Sequence, residues 1–182
     1  MRKVTFALAA VLAASTAMAA GAQEYYTKDK TSKSRGEPTE DMALVYVFRP
    51  ATVGAAIKTW AFADDQFIGV SKSKAYYYAL VPPGNHVFWA KAENTSGVEL
   101  EVEAGKTYYF KTAIRMGFAK ARVEMMQVDE AEAEKYFSKC GYAVPTEEGR
   151  VRAAEIAADR QDRAADNAEK KKEKSQTTGA GA

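Results

Sequence analysis

Cysteine and histidine are nearly absent from this sequence, and their scarcity excludes most catalytic and metal-binding arrangements. Cys140 is the one cysteine and His86 the one histidine in 182 residues. One cysteine cannot form a disulfide within the chain, and a zinc site normally draws on several cysteine and histidine ligands. A Ser-His-Asp triad would have to use His86, yet the serines near predicted strands (Ser71, Ser73 and Ser96) lack a nucleophile elbow. We therefore expect neither enzymatic activity nor a metal site.

The motifs that hold nucleotides and calcium are also missing. The chain has no G-x-x-x-x-G-K-[ST] loop and no G-x-G-x-x-G turn, and Asp64-Asp65 lacks the D-x-D-x-D-G spacing of a calcium loop. Glu99, Glu101 and Glu103 alternate with apolar residues, so we place them on the solvated face of a strand and not as paired catalytic acids. No cofactor is expected.

Charge of one sign is lacking as well. The chain has 26 basic and 24 acidic residues. Removing residues 1–22 takes away two bases and no acids, which leaves 24 of each. A balanced chain has no basic excess to attract nucleic acid.

The apolar run near the amino terminus is too short to span a bilayer, which needs roughly 20 residues. A basic start, an apolar centre and small residues at 17–22 are typical of a secretory signal peptide. Cleavage after Ala19 or after Ala22 fits the A-x-A rule. Because no cysteine follows either point, we expect a periplasmic or secreted protein without a lipid anchor.

Beyond this signal, the pattern predicts a mainly β protein with a helical tail. Residues 23–40 are polar and suggest a flexible leader. Residues 41–128 predict one β-sandwich of about 7–8 antiparallel strands, at 42–48, 57–63, 67–71, 75–81, 86–92, 98–103, 106–116 and 118–128. Proline and glycine at 82–84 predict a tight turn after the fourth of these.

Two helices are predicted to follow. Residues 129–145 comprise a docking helix and a linker: Asp129 and Glu132 have capping-box spacing, and Ala133, Phe137 and Cys140 share one helix face. Cys140 is therefore expected to pack as a buried residue, although an odd thiol could pair between chains. Residues 146–174 predict an exposed helix with alternating charges, and residues 175–182 a disordered tail.

Aromatic side chains are the remaining candidates for a binding surface. Most should fill the core, whereas Tyr77 and Tyr109 are expected to point outward. These two tyrosines and the turn residues Pro83 and Gly84 are the predicted ligand or partner contacts. The aromatic residues that could stack on a sugar ring or a partner's proline are Tyr25, Tyr26, Trp60, Tyr76, Tyr77, Tyr78, Trp89 and Tyr109.

Several stretches in order along the chain resemble a family of bacterial exported proteins, domain of unknown function 2846. They are residues 43–50 (ALVYVFRP), 63–69 (ADDQFIG), Tyr76 with 81–86 (VPPGNH), and 104–110 (AGKTYYF). The segment is more distantly similar to PEGA-type and transthyretin-like sandwiches. The resemblance implies a compact β-sandwich in an exported, often lipid-anchored protein, and it carries no catalytic residues.

The residues thus favour a non-enzymatic exported protein of a bacterial envelope, a sandwich that binds an envelope protein or a glycan. One alternative is a structural accessory that acts through the charged carboxyl-terminal helix. Another is an enzyme of unrecognised type.

Overall fold

The computed structural model describes residues 24–29, 31, 33–116 and 121–179. The signal peptide predicted at 1–22 lies outside these described residues. Ten strands and two helices follow one another in the order β1 (Tyr26–Asp29), β2 (Ala43–Arg49), β3 (Thr59–Ala63), β4 (Gln66–Ser71), β5 (Ala75–Val81), β6 (Gly84–Lys91), β7 (Thr95–Val102), β8 (Thr107–Met116), β9 (Ala121–Val128), α1 (Glu130–Lys139), β10 (Gly141–Pro145) and α2 (Glu147–Gly179).

The strands form two sheets, which confirms the mainly β fold. One sheet has six strands in the order β1-β10-β5-β2-β8-β9, and the other has four in the order β4-β3-β6-β7. Pairing is not antiparallel throughout, because β10 runs parallel to β5 and β2 parallel to β8. The chain between β2 and β8 passes through the other sheet, and such long connections allow parallel neighbours. The described strands also exceed the predicted seven or eight.

The main core lies between the two sheets. It contains alternate residues of both, including Val45, Val47, Phe88 and Phe110. Strand β2 is buried along its whole length, as expected for an apolar run in a covered central position. Strand β7 shows the predicted alternation: Val102 is buried, whereas the glutamates beside it are exposed.

Helix α1 covers the outer face of the six-stranded sheet. The Asp129 carboxylate accepts a hydrogen bond from the Glu132 backbone N–H at 2.7 Å, which caps the first turn. Ala133, Phe137 and Cys140 pack on Tyr46 and its neighbours in a second cluster. The helix ends at Lys139, so Cys140 is an extended capping residue and not part of the last turn.

Helix α2 covers part of the outer face of the four-stranded sheet. Ala153 and Ala157 are buried against Trp60, Phe62 and Trp89 in a third cluster. Thr146 caps the helix by accepting from the Gly149 backbone N–H at 3.2 Å. Residues 161–171 are all exposed, as the thin apolar stripe predicts.

Three predicted segments need correction. The leader 23–40 contains strand β1, which pairs with β10, and the predicted linker after α1 is β10 itself. Strand β1 (YTKD) has little apolar content and β10 (GYAVP) is only five residues long. Both become strands because they extend the sheet from β5. The tail predicted as disordered at 175–182 is helical as far as Gly179, and residues 180–182 lie outside the described residues.

Candidate functional site

Tyr77 does not lie on the surface, which corrects the predicted contact. Its side chain is 1% exposed and points into the core between the sheets. It packs so closely over Gly69 that a Cβ there would lie 2.4 Å from the ring. Alternation along β5 does not separate core from solvent, because α1 covers the opposite face and buries Tyr76 as well.

Tyr109 lies on the face covered by α1 and is only partly exposed. Its ring stacks on Tyr46 with centroids 5.7 Å apart, and burial raises the pKa of its hydroxyl. The hydroxyls of two neighbouring tyrosines form hydrogen bonds within the protein. Tyr46 donates to the Gly36 carbonyl oxygen at 3.2 Å, and Tyr76 donates to the Ser34 carbonyl oxygen at 2.8 Å. Residues 33–38 therefore lie across these tyrosines as part of the folded structure.

The predicted turn at 82–84 forms the corner between β5 and β6, where the chain changes sheets. Pro83 is exposed, and Gly84 has a φ of 131°, a conformation that favours glycine. His86 supports this corner: Nδ1 lies 2.6 Å from Asp64 Oδ2 and Nε2 lies 2.8 Å from the Pro82 carbonyl oxygen. Both ring nitrogens of His86 thus lie within hydrogen-bond distance of an oxygen of the fold.

The Asp64 carboxylate binds His86 and the Val87 backbone N–H at this corner. Burial tends to raise its pKa, but hydrogen bonds from the Val87 N–H and from His86, with the His86 charge, lower it below the usual value. The Asp64 carbonyl also accepts from the Trp89 indole at 2.6 Å. These hydrogen bonds connect the β3–β4 turn to β6. They also engage the His86 ring within the fold, so that it is not a free base.

Cys140 is buried, as the helical pattern predicts. Burial raises the pKa of its thiol to about 11, and the nearby Lys28, Lys139 and Lys74 only partly oppose the rise. A thiol with such a pKa is protonated at neutral pH and is a poor nucleophile. In the part of the chain that the structure describes, no three or more histidine, cysteine, aspartate or glutamate side chains converge on a potential metal position.

A pocket with a strongly basic lining opens beside Cys140. It has a volume of about 220 Å³, and we call it the lysine pocket. Four lysines from separate parts of the chain line it, and no acidic residue does. The lining consists of Lys28, Lys33, Lys74, Ser138, Lys139, Cys140 and Gly141.

Sheet pairing assembles this pocket. Lys74 precedes β5, and its carbonyl accepts a hydrogen bond from Gly141 N–H at 3.0 Å where β10 pairs with β5. The end of α1 supplies Lys139, and β1 places Lys28 opposite Ala143 of β10. The Lys28 ammonium donates to the Ser73 carbonyl at 2.8 Å. The lysines therefore converge only after β1 and β10 have joined the sheet.

The electrostatics of the lysine pocket favour an anion. Lys33, Lys74 and Lys139 are exposed side chains, free to turn toward a ligand. Asp29, the acid nearest along the chain, accepts two hydrogen bonds from Thr31 at 2.8 Å each. Several ammonium groups around one concave surface raise the local concentration of negatively charged ligands. Sequence reasoning missed this site, because no motif connects positions 28, 33, 74 and 139.

The fold and this pocket define a two-sheet β-sandwich domain with a basic surface cavity. Residues 39–125 match the family described as "Protein of unknown function (DUF2846)", and this match confirms the resemblance seen in the sequence. An uncharacterized protein of Haemophilus influenzae is 28% identical over 118 residues, which cover 64% of this chain and 70% of the relative. No solved structure matches the chain.

Among the described residues, no helix is both long enough and apolar enough to cross a bilayer.

Proposed function

We propose that the protein is a non-enzymatic binding module exported to a bacterial envelope, and that its lysine pocket takes an acidic group of an envelope glycan. The observation that carries the proposal is the convergence of four lysines on one cavity with no acid in its lining. Phosphates and carboxylates are the acidic groups of such polymers, and ammonium groups bind both through charge-assisted hydrogen bonds.

The non-enzymatic part of the proposal is supported by how the two reactive side chains are used. Both ring nitrogens of His86 have partners within the fold, and the Cys140 thiol is buried with a raised pKa. Neither group is available for general-base or nucleophilic chemistry as it stands.

A titration with inorganic phosphate, followed by NMR on residues 23–182, tests the pocket. We expect the amides of Gly141 and Ala75 to shift, and the Lys74→Gln/Lys139→Gln double variant to bind phosphate at least fivefold more weakly. The matched control is Lys170→Gln/Lys171→Gln, which removes the same charge from exposed positions on α2. Equal affinity of both double variants would contradict the proposal.

Export is tested separately, by fractionating cells that express the full chain. The protein released from the envelope should begin at Ala20 or Gln23 by amino-terminal sequencing. A chain that keeps Met1 and stays in the cytoplasm would contradict the exported location.

The exposed part of α2 favours a second candidate function, that of a structural accessory. The helix is 33 residues long, which is about 50 Å at 1.5 Å per residue. Its residues 161–171 are exposed and form an arm that does not pack on the sandwich. Truncation after Asp162 removes this arm and keeps Ala153 and Ala157 on the sheet. If crosslinking in intact cells captures the same partners with and without the arm, the accessory role is wrong.

A further inference from the structure

The lysine pocket lies on the boundary between an amino-terminal segment and the rest of the protein. We call residues 24–29 and 33–38, which precede the sandwich, the strap. Lys28 and Lys33 belong to the strap, whereas the other two lysines of the pocket lie just before β5 and at the end of α1. The Lys28 side chain crosses Gly141, because a Cβ there would lie 3.2 Å from Lys28 Cε. An anion in the pocket would therefore bridge the strap to the body of the protein.

The strap is attached at the surface and not through the core. None of its described residues is buried. Its strand β1 is the edge strand of the six-stranded sheet and pairs with β10. Residues 33–38 are held by the Arg35–Glu134 ion pair, at 2.6 and 2.8 Å, and by hydrogen bonds from two tyrosine hydroxyls. Segments with few buried contacts open at low free energy while the rest of a protein stays folded. The strap is such a segment.

The charges of the empty pocket oppose docking of the strap. Docking brings Lys28 and Lys33 to Lys74 and Lys139, and no acidic residue lines the pocket. Like charges around one concave surface repel each other. A bound anion removes this repulsion and accepts charge-assisted hydrogen bonds from both sides of the boundary. Because a ligand that binds only the docked state stabilises that state, anion binding and strap docking favour each other.

We propose, on the basis of the anion-binding function inferred above, that the strap regulates the lysine pocket and that a bound acidic group holds the strap in its docked position. When the strap undocks, Lys28 and Lys33 leave the site, so the apparent affinity falls with the docked fraction. Arg35 and Glu134 are positioning residues, since their ion pair fixes the strap on α1 but neither side chain lines the pocket.

Hydrogen exchange of residues 23–182 in inorganic phosphate, compared with sodium chloride at equal ionic strength, tests this coupling. Two backbone amides outside the pocket lining report docking, because each donates to the strap. Thr146 N–H donates to the Tyr25 carbonyl at 3.1 Å, and Lys72 N–H donates to the Tyr26 hydroxyl at 3.2 Å. Exchange of both reporter amides should slow about 11-fold at a phosphate concentration ten times the dissociation constant.

The control amide lies at the opposite edge of the same sheet. Val123 N–H in β9 donates to Asn94 Oδ1 at 2.6 Å and has no contact with the strap. Its exchange should be the same in phosphate and in sodium chloride. Equal slowing of the control and reporter amides would mean that the strap opens only when the whole protein unfolds, which would overturn the proposal.

A charge variant separates strap docking from simple electrostatics. Glu134→Gln removes an acidic charge, so electrostatic attraction alone predicts equal or tighter phosphate binding. The coupling predicts the reverse, because loss of the Arg35 ion pair lowers the docked fraction; we expect binding to weaken at least twofold and both reporter amides to exchange faster without phosphate. The matched control is Glu130→Gln, which removes the same charge from the first turn of the same helix and should not weaken binding.

Two further results would contradict the proposal, and they are distinguishable. If phosphate shifts the amides of Gly141 and Ala75 but leaves exchange of the reporter amides unchanged, or if Glu134→Gln binds as tightly as Glu130→Gln, the pocket binds anions without the strap coupling. If phosphate shifts neither Gly141 nor Ala75, the pocket is not an anion site, and the coupling is wrong together with the function on which it rests.

Discussion

Replacing Phe137 by alanine should show how strongly α1 is joined to the sandwich. The side chain is 3% exposed and meets Tyr46, Phe48 and Tyr76 edge-on, with ring centroids 5.1, 4.8 and 5.1 Å away. Loss of a buried phenylalanine costs about 3–5 kcal/mol. The Arg35 guanidinium, 3.9 Å from the ring centre, adds about 0.5–1 kcal/mol. We expect the free energy of unfolding to fall by about 4 kcal/mol.

Loss of the Phe137 side chain should also loosen residues 33–38, which contact α1 through Arg35. Helix α1 has ten residues and is too short to be stable without its docking surface. Arg35 is held by a bidentate pair with Glu134 of this helix, at 2.6 and 2.8 Å. Hydrogen exchange should therefore quicken both in α1 and in residues 33–38, while tryptophan fluorescence in urea reports the sandwich through Trp60 and Trp89.

The control is Ser138→Ala on the exposed side of the same helix, which should change the free energy of unfolding by less than about 0.5 kcal/mol. A loss below about 1 kcal/mol for Phe137→Ala, with unchanged exchange in α1, would refute the view that this helix is part of the core.

Three further predictions concern a turn, a helix contact and the thiol. Asp64→Asn tolerates the φ of 49° but removes the charge beside His86. Because the folded-state pKa of Asp64 is lowered, its ion pair with His86 stabilises the fold above roughly pH 4, and this contribution disappears as the carboxylate protonates. The contribution is below about 1 kcal/mol, because the Asp64 side chain is half-exposed. The urea midpoints of the wild type and of Asp64→Asn should therefore differ at pH 7 and become equal as the pH falls to 3. Gly149→Ala should lower stability by about 1–3 kcal/mol despite better helix propensity, since its Cβ would lie 2.1 Å from the Tyr25 carbonyl oxygen; thermal melts measure this. Cys140 should react with a maleimide at pH 7.5 only after denaturation, and a disulfide-linked dimer under native conditions would contradict its burial.

Local patterns were sufficient for the central part of the fold. The eight predicted strands between residues 42 and 128 all occur, because each has its own β-branched or aromatic run and a turn signal at its end. The cap at Asp129 was equally visible, since it depends on residues three apart. These features require no knowledge of which elements become neighbours.

Features that depend on tertiary pairing were not predictable in this way. Strand β1 has the sequence YTKD, and its extended form is fixed by β10 across the sheet. The inward direction of Tyr77 depends on α1 covering the other face of β5. A sheet buried on both faces loses the relation between alternation and solvent that the prediction used.

The lysine pocket requires more of the chain than the segment that matches the family. Lys74 lies within residues 39–125, whereas the other lysines of the pocket come from β1, the leader and the end of α1. The pocket therefore exists only because β1 and β10 extend the sheet from β5 beyond the sandwich. The sandwich supplies the scaffold, and the flanking segments add the basic surface that would meet an anionic partner.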